Sequence, residues 1–334
     1  MRKQIHIVNP MTNFAGGSEW RSYELCRLLA PHADVHLWSF GGQDFRWSSG
    51  LNIRSIPSIP LNPPAIEDGG TFVFVGAYYH WLPHLFNTTP SRVVVIYNVN
   101  TPYYLNMNLG HLQERWPGIP VEFVFASKWL RNSTHKPGVV QPSIIDISRF
   151  APTNRSGRSS FTIGRHSRDD ISKHNQNDLS LYVRLHDLGI RTRVLGGNCL
   201  SSRYKTVDLP PDIELLAECQ EEAPLFLHTL DCFFFRTHTS HIEAHGRCVQ
   251  EAMACGLPVV CHRQGGQAEY ITHGQNGFVF DTEDEAIEII KTLARDLDLR
   301  ARIGEAARSF AEELFSPESL RQIADFYLQG SRHT

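Results

Sequence analysis

Two glutamates, Glu243 and Glu251, flank a glycine and an arginine in the run Ile242-Glu-Ala-His-Gly-Arg-Cys-Val-Gln-Glu. Gly246 opens a predicted helix in which Val249, Ala252 and Met253 recur at apolar helical spacing; Gly256 fits its C′ position and Pro258 stops it. A glycine at a helix start lets an anion approach the backbone N–H groups of Gly246, Arg247 and Cys248, and the helix dipole adds to the attraction. Arg247 brings a cation to the same place. The two carboxylates bracket that anion site, where each can accept hydrogen bonds from sugar hydroxyls. The chemistry this points to is the gripping of a phosphorylated, hydroxyl-rich ligand.

Other candidates lie at predicted strand ends. Residues 161–174, FTIGRHSRDDISKH, give a strand, a glycine and a loop that carries Arg165, Arg168 and Lys173. Within it Asp169 and Asp170 read as solvated acids on a cationic loop rather than as metal ligands. His80 follows the strand-like 71–75, and Asn98 and Asn100 follow 92–97; such positions face the ligand crevice of a parallel sheet. Tyr78, Tyr79, Trp81, Tyr103 and Tyr104 are interleaved with them, and aromatic faces beside amides suit a carbohydrate. His80 is the catalytic candidate of this group, and Tyr79, Asn98 and Asn100 are its acceptor-binding candidates.

The elements that must hold these residues alternate. Strand-like runs at 4–8, 35–40, 71–75, 92–97 and 121–126 make a first series, with a helix at 18–29. A second series runs 161–163, 192–195, 212–215, 231–235, 258–261 and 277–280, with helices at 178–188, 246–255, 283–296 and 298–314. That order predicts an α/β fold with parallel sheets. A polar stretch at 151–160 suits an interdomain connection, and the proline-rich 56–64 suits a surface loop. The end of the chain reads as an amphipathic helix with Ser316 as N-cap and Pro317 at N1.

The combination of Glu243 and Glu251 in an E-x7-E spacing, EAMACGLPVV at 251–260, and Gly265, Gly266 and Glu269 in a GGxxE turn resembles family 4 of the retaining glycosyltransferases (glycosyltransferases group 1). The resemblance implies the GT-B fold, two Rossmann-like parallel-sheet domains facing a cleft. Domains are then expected at 1–155 for the acceptor and 156–315 for the nucleotide sugar, with 316–334 crossing back to the first domain. It implies transfer of a sugar from a nucleotide-diphosphate donor, a UDP-sugar first and a GDP-sugar next, to a hydroxyl of a glycan, lipid-linked or small-molecule acceptor. By the same resemblance Arg165 and Lys173 clamp the diphosphate, with Arg168 as a substitute for Lys173, and Glu243 orients the sugar. Glu251 holds the ribose; Gly16 and Gly17 of a GGxE-like loop close on the phosphates; and Gly265 and Gly266 meet the transferred sugar. Glu218 and Cys219 fall where the nucleobase is met. Asn98 departs from the pattern, because relatives often carry histidine there. No metal and no cofactor beyond the donor is expected. A nucleotide-sugar epimerase or hydrolase of the same fold, and a non-catalytic sugar-nucleotide binder, stay open beside the transferase.

Composition excludes other classes. The 334 residues hold 32 Lys and Arg against 35 Asp and Glu, a formal charge of −3, which argues against a nucleic-acid partner. No apolar run reaches the roughly 20 residues that span a bilayer. The start, MRKQIHIVNP, passes straight into a strand and does not read as a signal peptide. Seven cysteines without CxxC or zinc-ligand spacing suit reduced thiols. A cytoplasmic enzyme is expected, with peripheral contact at the inner membrane face left open.

Overall fold

The computed structural model describes residues 2–48, 51, 53–56, 66–76, 86–154, 160–203 and 209–329. It divides into two compact units, Met1–Ile144 with Pro317–Thr334, and Ile145–Ser316.

The first unit runs β1 (Gln4–Val8), α1 (Gly17–Leu29), β2 (Asp34–Phe40), β3 (Ile53–Ile56), β4 (Thr71–Val75), β5 (Arg92–Tyr97), α2 (Pro102–Arg115), β6 (Val121–Phe125), α3 (Lys128–Thr134) and β7 (Val139–Val140). Its strands form one parallel sheet in the order β3-β2-β1-β4-β5-β6-β7. The middle strands β4, TFVFV, and β5, RVVVIY, are buried along their whole length. Continuous apolar runs of this kind are what a parallel sheet covered on both faces requires.

The second unit runs β8 (Thr162–His166), α4 (Asp178–His186), β9 (Arg191–Leu195), α5 (Asn198–Arg203), β10 (Ile213–Leu216), α6 (Ala223–His228), β11 (Cys232–Phe235), α7 (Arg247–Ala254), β12 (Val259–His262), β13 (Phe278–Phe280), α8 (Glu283–Arg295) and α9 (Leu297–Leu314). Its parallel sheet has the order β10-β9-β8-β11-β12-β13. Both sheets reverse their strand order once, beside β1 and β4 in the first and beside β8 and β11 in the second. Such switch points open a crevice at the carboxyl ends of the strands. In α8, Ala286, Ile287, Ile290 and Leu293 face the core, and Thr282 with Glu285 closes a capping box.

Two boundaries are instructive. The units part at Ile144 and Ile145, some way before the 155 expected from composition. Residues 145–154, the last four of which belong to the stretch expected to connect the domains, are fastened to the second unit. Arg308 Nη1 donates to Ile147 O, Phe150 O and Ala254 O at 3.1, 3.1 and 2.7 Å, and the His228 ring nitrogen lies 2.8 Å from Ala151 O. The last helix, α10 (Pro317–Gln329), belongs to the first unit. Ile323, Ala324 and Tyr327 enter the core that holds Ile5, Leu25 and Val73. Arg92 Nη1 donates to Phe326 O at 2.7 Å while its guanidinium grips Glu122, and Tyr327 Oη meets Gln141 Oε1 at 3.1 Å.

Four helices, α2, α3, α5 and α6, and two strands, β3 and β7, went unread in the sequence. Among the described residues no helix is long and apolar enough to cross a membrane.

All six tryptophans precede residue 145, so their fluorescence reports the first unit alone. Tyr327→Ala removes a buried ring and a hydrogen bond, with an expected loss of about 3–5 kcal/mol. The check is a fall in the urea midpoint followed by tryptophan fluorescence; an unmoved midpoint would deny α10 a structural role in that unit.

Candidate functional site

The second unit brings Arg165, Lys173, Glu243, Gly246, Arg247 and Glu251 to the switch point between β8 and β11. Arg165 is the fourth residue of β8 and has no solvent exposure. Its guanidinium lies over the Phe235 ring at 4.7 Å, and Nη1 donates to Arg236 O. Nε and Nη2 are buried with no hydrogen-bond partner among the described residues. A buried cation with two unused donors is costly unless an anion completes it.

Lys173 ends a short 3₁₀ turn, Ile171–Lys173, capped by Asp170, whose Oδ1 accepts from Ser172 N at 2.9 Å. Its Nζ donates to Glu243 Oε2 at 2.8 Å and lies 3.2 Å from His241 Nε2. Burial pushes the Glu243 carboxyl upward, but the Lys173 ammonium, with His241 and His245, outweighs it and brings the value down to about 2. Lys173 therefore stands at the site as a cation already engaged, whereas Arg168 is exposed. His174, fully buried, points Nε2 at Gly196 O at 2.7 Å; burial, then Arg165, lowers its pKa to about 3, so the ring is neutral.

Gly246 caps α7 with φ +75, a left-handed conformation, and no side chain caps the helix there. A Cβ at this position would run into the side chain of Gln267. Glycine thus allows the turn of Gly265 and Gly266 to pack directly behind the helix start, where Gly266 N donates to Glu243 O at 2.9 Å. Glu269 lies exposed in the following 3₁₀ turn, Gly266–Tyr270. The thiol of Cys248 is pushed up to about 12 by burial and is not a nucleophile.

Arg247 does not point its charge at the helix start alone. Its Nε donates to Glu251 Oε1 at 2.8 Å, one turn on, and His166 Nε2 lies 3.2 Å from Glu251 Oε2. Burial raises the Glu251 carboxyl, but Arg247 first and then His166 overcome it and hold it below its ordinary value. His166 and His241 are the residues the sequence reading missed. Their signal was adjacency: one follows Arg165 on the same strand, the other precedes Glu243 by two.

At the outer strands, Glu218 Oε2 accepts from Asp169 N at 2.9 Å, tying the end of β10 to the loop after β8. Asp169 Oδ1 in turn accepts from Cys199 N at 2.6 Å, so both acids of that loop, partly exposed, also serve backbone N–H groups. Cys219 adopts φ +58 in the same turn. Among the described residues no cluster of His, Cys, Asp and Glu is arranged to hold a metal.

In the first unit Gly16 caps α1, and a Cβ there would overlap the carboxylate of Glu19, which folds back over the helix start. Gly17 is the first residue of α1, and Asn98 and Asn100 follow β5, half-buried. Tyr103, expected in a binding cluster, is 69% exposed on the first turn of α2. Tyr79 and His80 lie outside the described residues, as do Tyr78 and Trp81.

Two Rossmann-like parallel-sheet α/β domains define the class, and the chain's structural neighbours are GT-B glycosyltransferases. Residues 187–310 match the family model of glycosyl transferases group 1. The UDP-glucose complex of Anabaena HepE superposes with TM-score 0.74 at 14% identity, covering 96% of this chain and 98% of that one. Sucrose-phosphate synthase from Thermosynechococcus elongatus also gives 0.74 at 14% identity, covering 98% of each. In sequence, N-acetyl-alpha-D-glucosaminyl L-malate synthase of Bacillus anthracis is 39% identical over 87 residues, 24% of this chain. The chain matches only 22% of that relative's length.

Lys173→Met leaves Glu243 with burial unopposed by the ammonium. With a native pKa near 2 against an ordinary 4.5, ionised Glu243 favours the folded state fully above about pH 4.5, and that contribution fades as pH falls toward 2. The variant is expected to lose it, with the Glu243 carboxyl titrating higher in a ¹³C-detected pH series. An unchanged titration would show that Lys173 does not hold the carboxylate.

Proposed function

We propose that the protein is a retaining glycosyltransferase that moves a sugar from a nucleotide-diphosphate donor, a UDP-sugar by preference and a GDP-sugar next, to an acceptor hydroxyl. The observation that carries this reading is the buried Arg165, with two unused donors, set in the same switch-point site as the Lys173–Glu243 pair and the uncapped start of α7. A diphosphate leaving group is the anion that such an arrangement completes. The UDP and UDP-glucose complexes of Anabaena HepE, which shares the fold, support the donor class.

As the glycosidic bond breaks, negative charge grows on the diphosphate and positive charge on the sugar ring. Arg165, Lys173 and the amides at 246–248 stabilise the first. Glu243, ionised at neutral pH, favours the second and orients the sugar. Glu251, also ionised, accepts from the ribose hydroxyls in competition with His166. On the retaining route attack and departure share one face, and the donor phosphate takes the acceptor proton, so no protein base is required. Asn98 and Asn100 are proposed to contact the acceptor, which is a glycan, a lipid-linked sugar or a small molecule.

Glu243→Gln and Arg165→Met are each expected to cut transfer by about 10²–10³. Methionine rather than alanine suits position 165, where a small side chain would leave a cavity against Phe235. The measurement is turnover of a panel of UDP- and GDP-sugars, with circular dichroism to confirm folding; undiminished turnover in a folded variant removes that residue from the mechanism. Because protein cations supply the charge, transfer is also expected to persist in EDTA. Loss of activity in EDTA, restored by a divalent cation, would overturn metal independence.

A further inference from the structure

A second cavity of the second unit, about 280 Å³, opens between the first turns of α4 and α8, under the loops that follow β11 and β12. Its wall carries Arg236, which is 6% exposed. Arg236 Nε donates to Asp178 Oδ1 at 2.6 Å and Nη1 to Glu283 Oε2 at 3.0 Å, while Nη2 has no hydrogen-bond partner among the described residues. Arg236 lines the cavity and its unpaired Nη2 lies buried just behind that wall, so an occupant's acceptor oxygen meets it once the guanidinium turns outward.

The rest of the wall narrows what that oxygen belongs to. Arg236 faces two carboxylates, Asp178 and Glu283, the second of which also pairs with Arg184, and Asp281 is matched by Arg263 at 2.9 Å, so the wall has no positive surplus to select an anion. Burial holds the His241 and His262 rings below their ordinary pKa, which keeps both neutral at pH 7. Asn175, Gln176 and Gln264 add amides, each both donor and acceptor. The aromatic side chain present, Phe280, is 2% exposed, so little apolar surface is offered. A neutral ligand rich in hydroxyls satisfies all of this. The volume lies just under the roughly 300–1,000 Å³ of small-molecule sites and suits one ring rather than an oligosaccharide.

We propose that this cavity is a carbohydrate subsite that takes one neutral pyranose unit, with Arg236 Nη2 donating to a ring or hydroxyl oxygen and Gln176 and Gln264 bracketing its hydroxyls. It goes beyond the donor site described above, and meets it at His241, which lines the cavity and touches Lys173 Nζ at 3.2 Å. A sugar seated here shares a wall with the Lys173–Glu243 pair without displacing a nucleotide.

The test uses the full chain, with methyl α-glucopyranoside and methyl N-acetyl-α-glucosaminide as probes of a glycan residue and glucitol as the open-chain polyol. Saturation-transfer NMR is expected to show at least one pyranoside binding with Kd on the order of 1 mM, glucitol bound more weakly, and the signal retained beside saturating UDP-glucose. The double variant Gln176→Ala with Gln264→Ala, both side chains at the cavity mouth, is expected to weaken the pyranoside about tenfold and leave UDP affinity unchanged. No pyranoside signal, equal binding of glucitol, displacement by UDP-glucose, or equal binding by the double variant would each overturn the subsite. Pyranoside binding without any affinity for UDP or GDP would instead sink the transferase reading and leave the subsite standing.

Discussion

Glu243 and Lys173 meet at 2.8 Å with side chains 17% and 15% exposed. Most of the hydration each charge had in the unfolded chain is gone, and removing either partner strands the other. Such a pair is a poor source of stability but fixes where charges stand. It draws the loop after β8 onto the loop after β11 and sets both beside the helix start that Gly246 makes possible. Arg165 and Glu251 occupy the same crevice, each also buried, each with a partner on a neighbouring element. The site is thus held by charge pairing across a switch point rather than by a flexible loop closing on solvent.

The alternation of strands and helices was legible because parallel strands buried on both faces cannot hide their composition. CFFF at 232–235 and RVVVIY at 92–97 have no other common use. The amphipathic α8 announced itself through Ala286, Ile287, Ile290 and Leu293. By contrast, α2 begins with Pro102, Tyr103 and Tyr104, and its aromatic first turn resembles a binding cluster more than a helix; the Thr101-Pro102 start was the available signal. β7 is two residues long and depends on pairing with β6 for its existence.

The site was legible in its members and not in its pairings. Glycine, glutamate and cations at fixed spacing can be read from a sequence, whereas the choice of partner depends on which loops the sheet brings together. His166 and His241 lie next to predicted residues, yet nothing in one dimension says that one faces Glu251 and the other Lys173. Likewise Asp169 and Asp170 look solvated in the sequence and serve as acceptors for Cys199 N and Ser172 N in the fold. The connector at 151–160 misled for the related reason that the anchoring is done by backbone carbonyls, at 147, 150 and 151, which side-chain composition does not reveal.

That anchoring bears on how the second unit could live apart from the first. Arg308 spends one amino group on three carbonyls, two of them on the arm before residue 151 and the third at the end of α7. A fragment trimmed to begin at Ser160 would keep the whole sheet and every acidic and basic residue of the crevice. It would nonetheless strip Arg308 of two acceptors and His228 of its contact with Ala151 O, loosening the seam between α9 and the end of the helix whose start forms the crevice floor. Residues 145–151, which such a cut removes, are therefore a brace for α7, and an autonomous fragment has to start at Ile145.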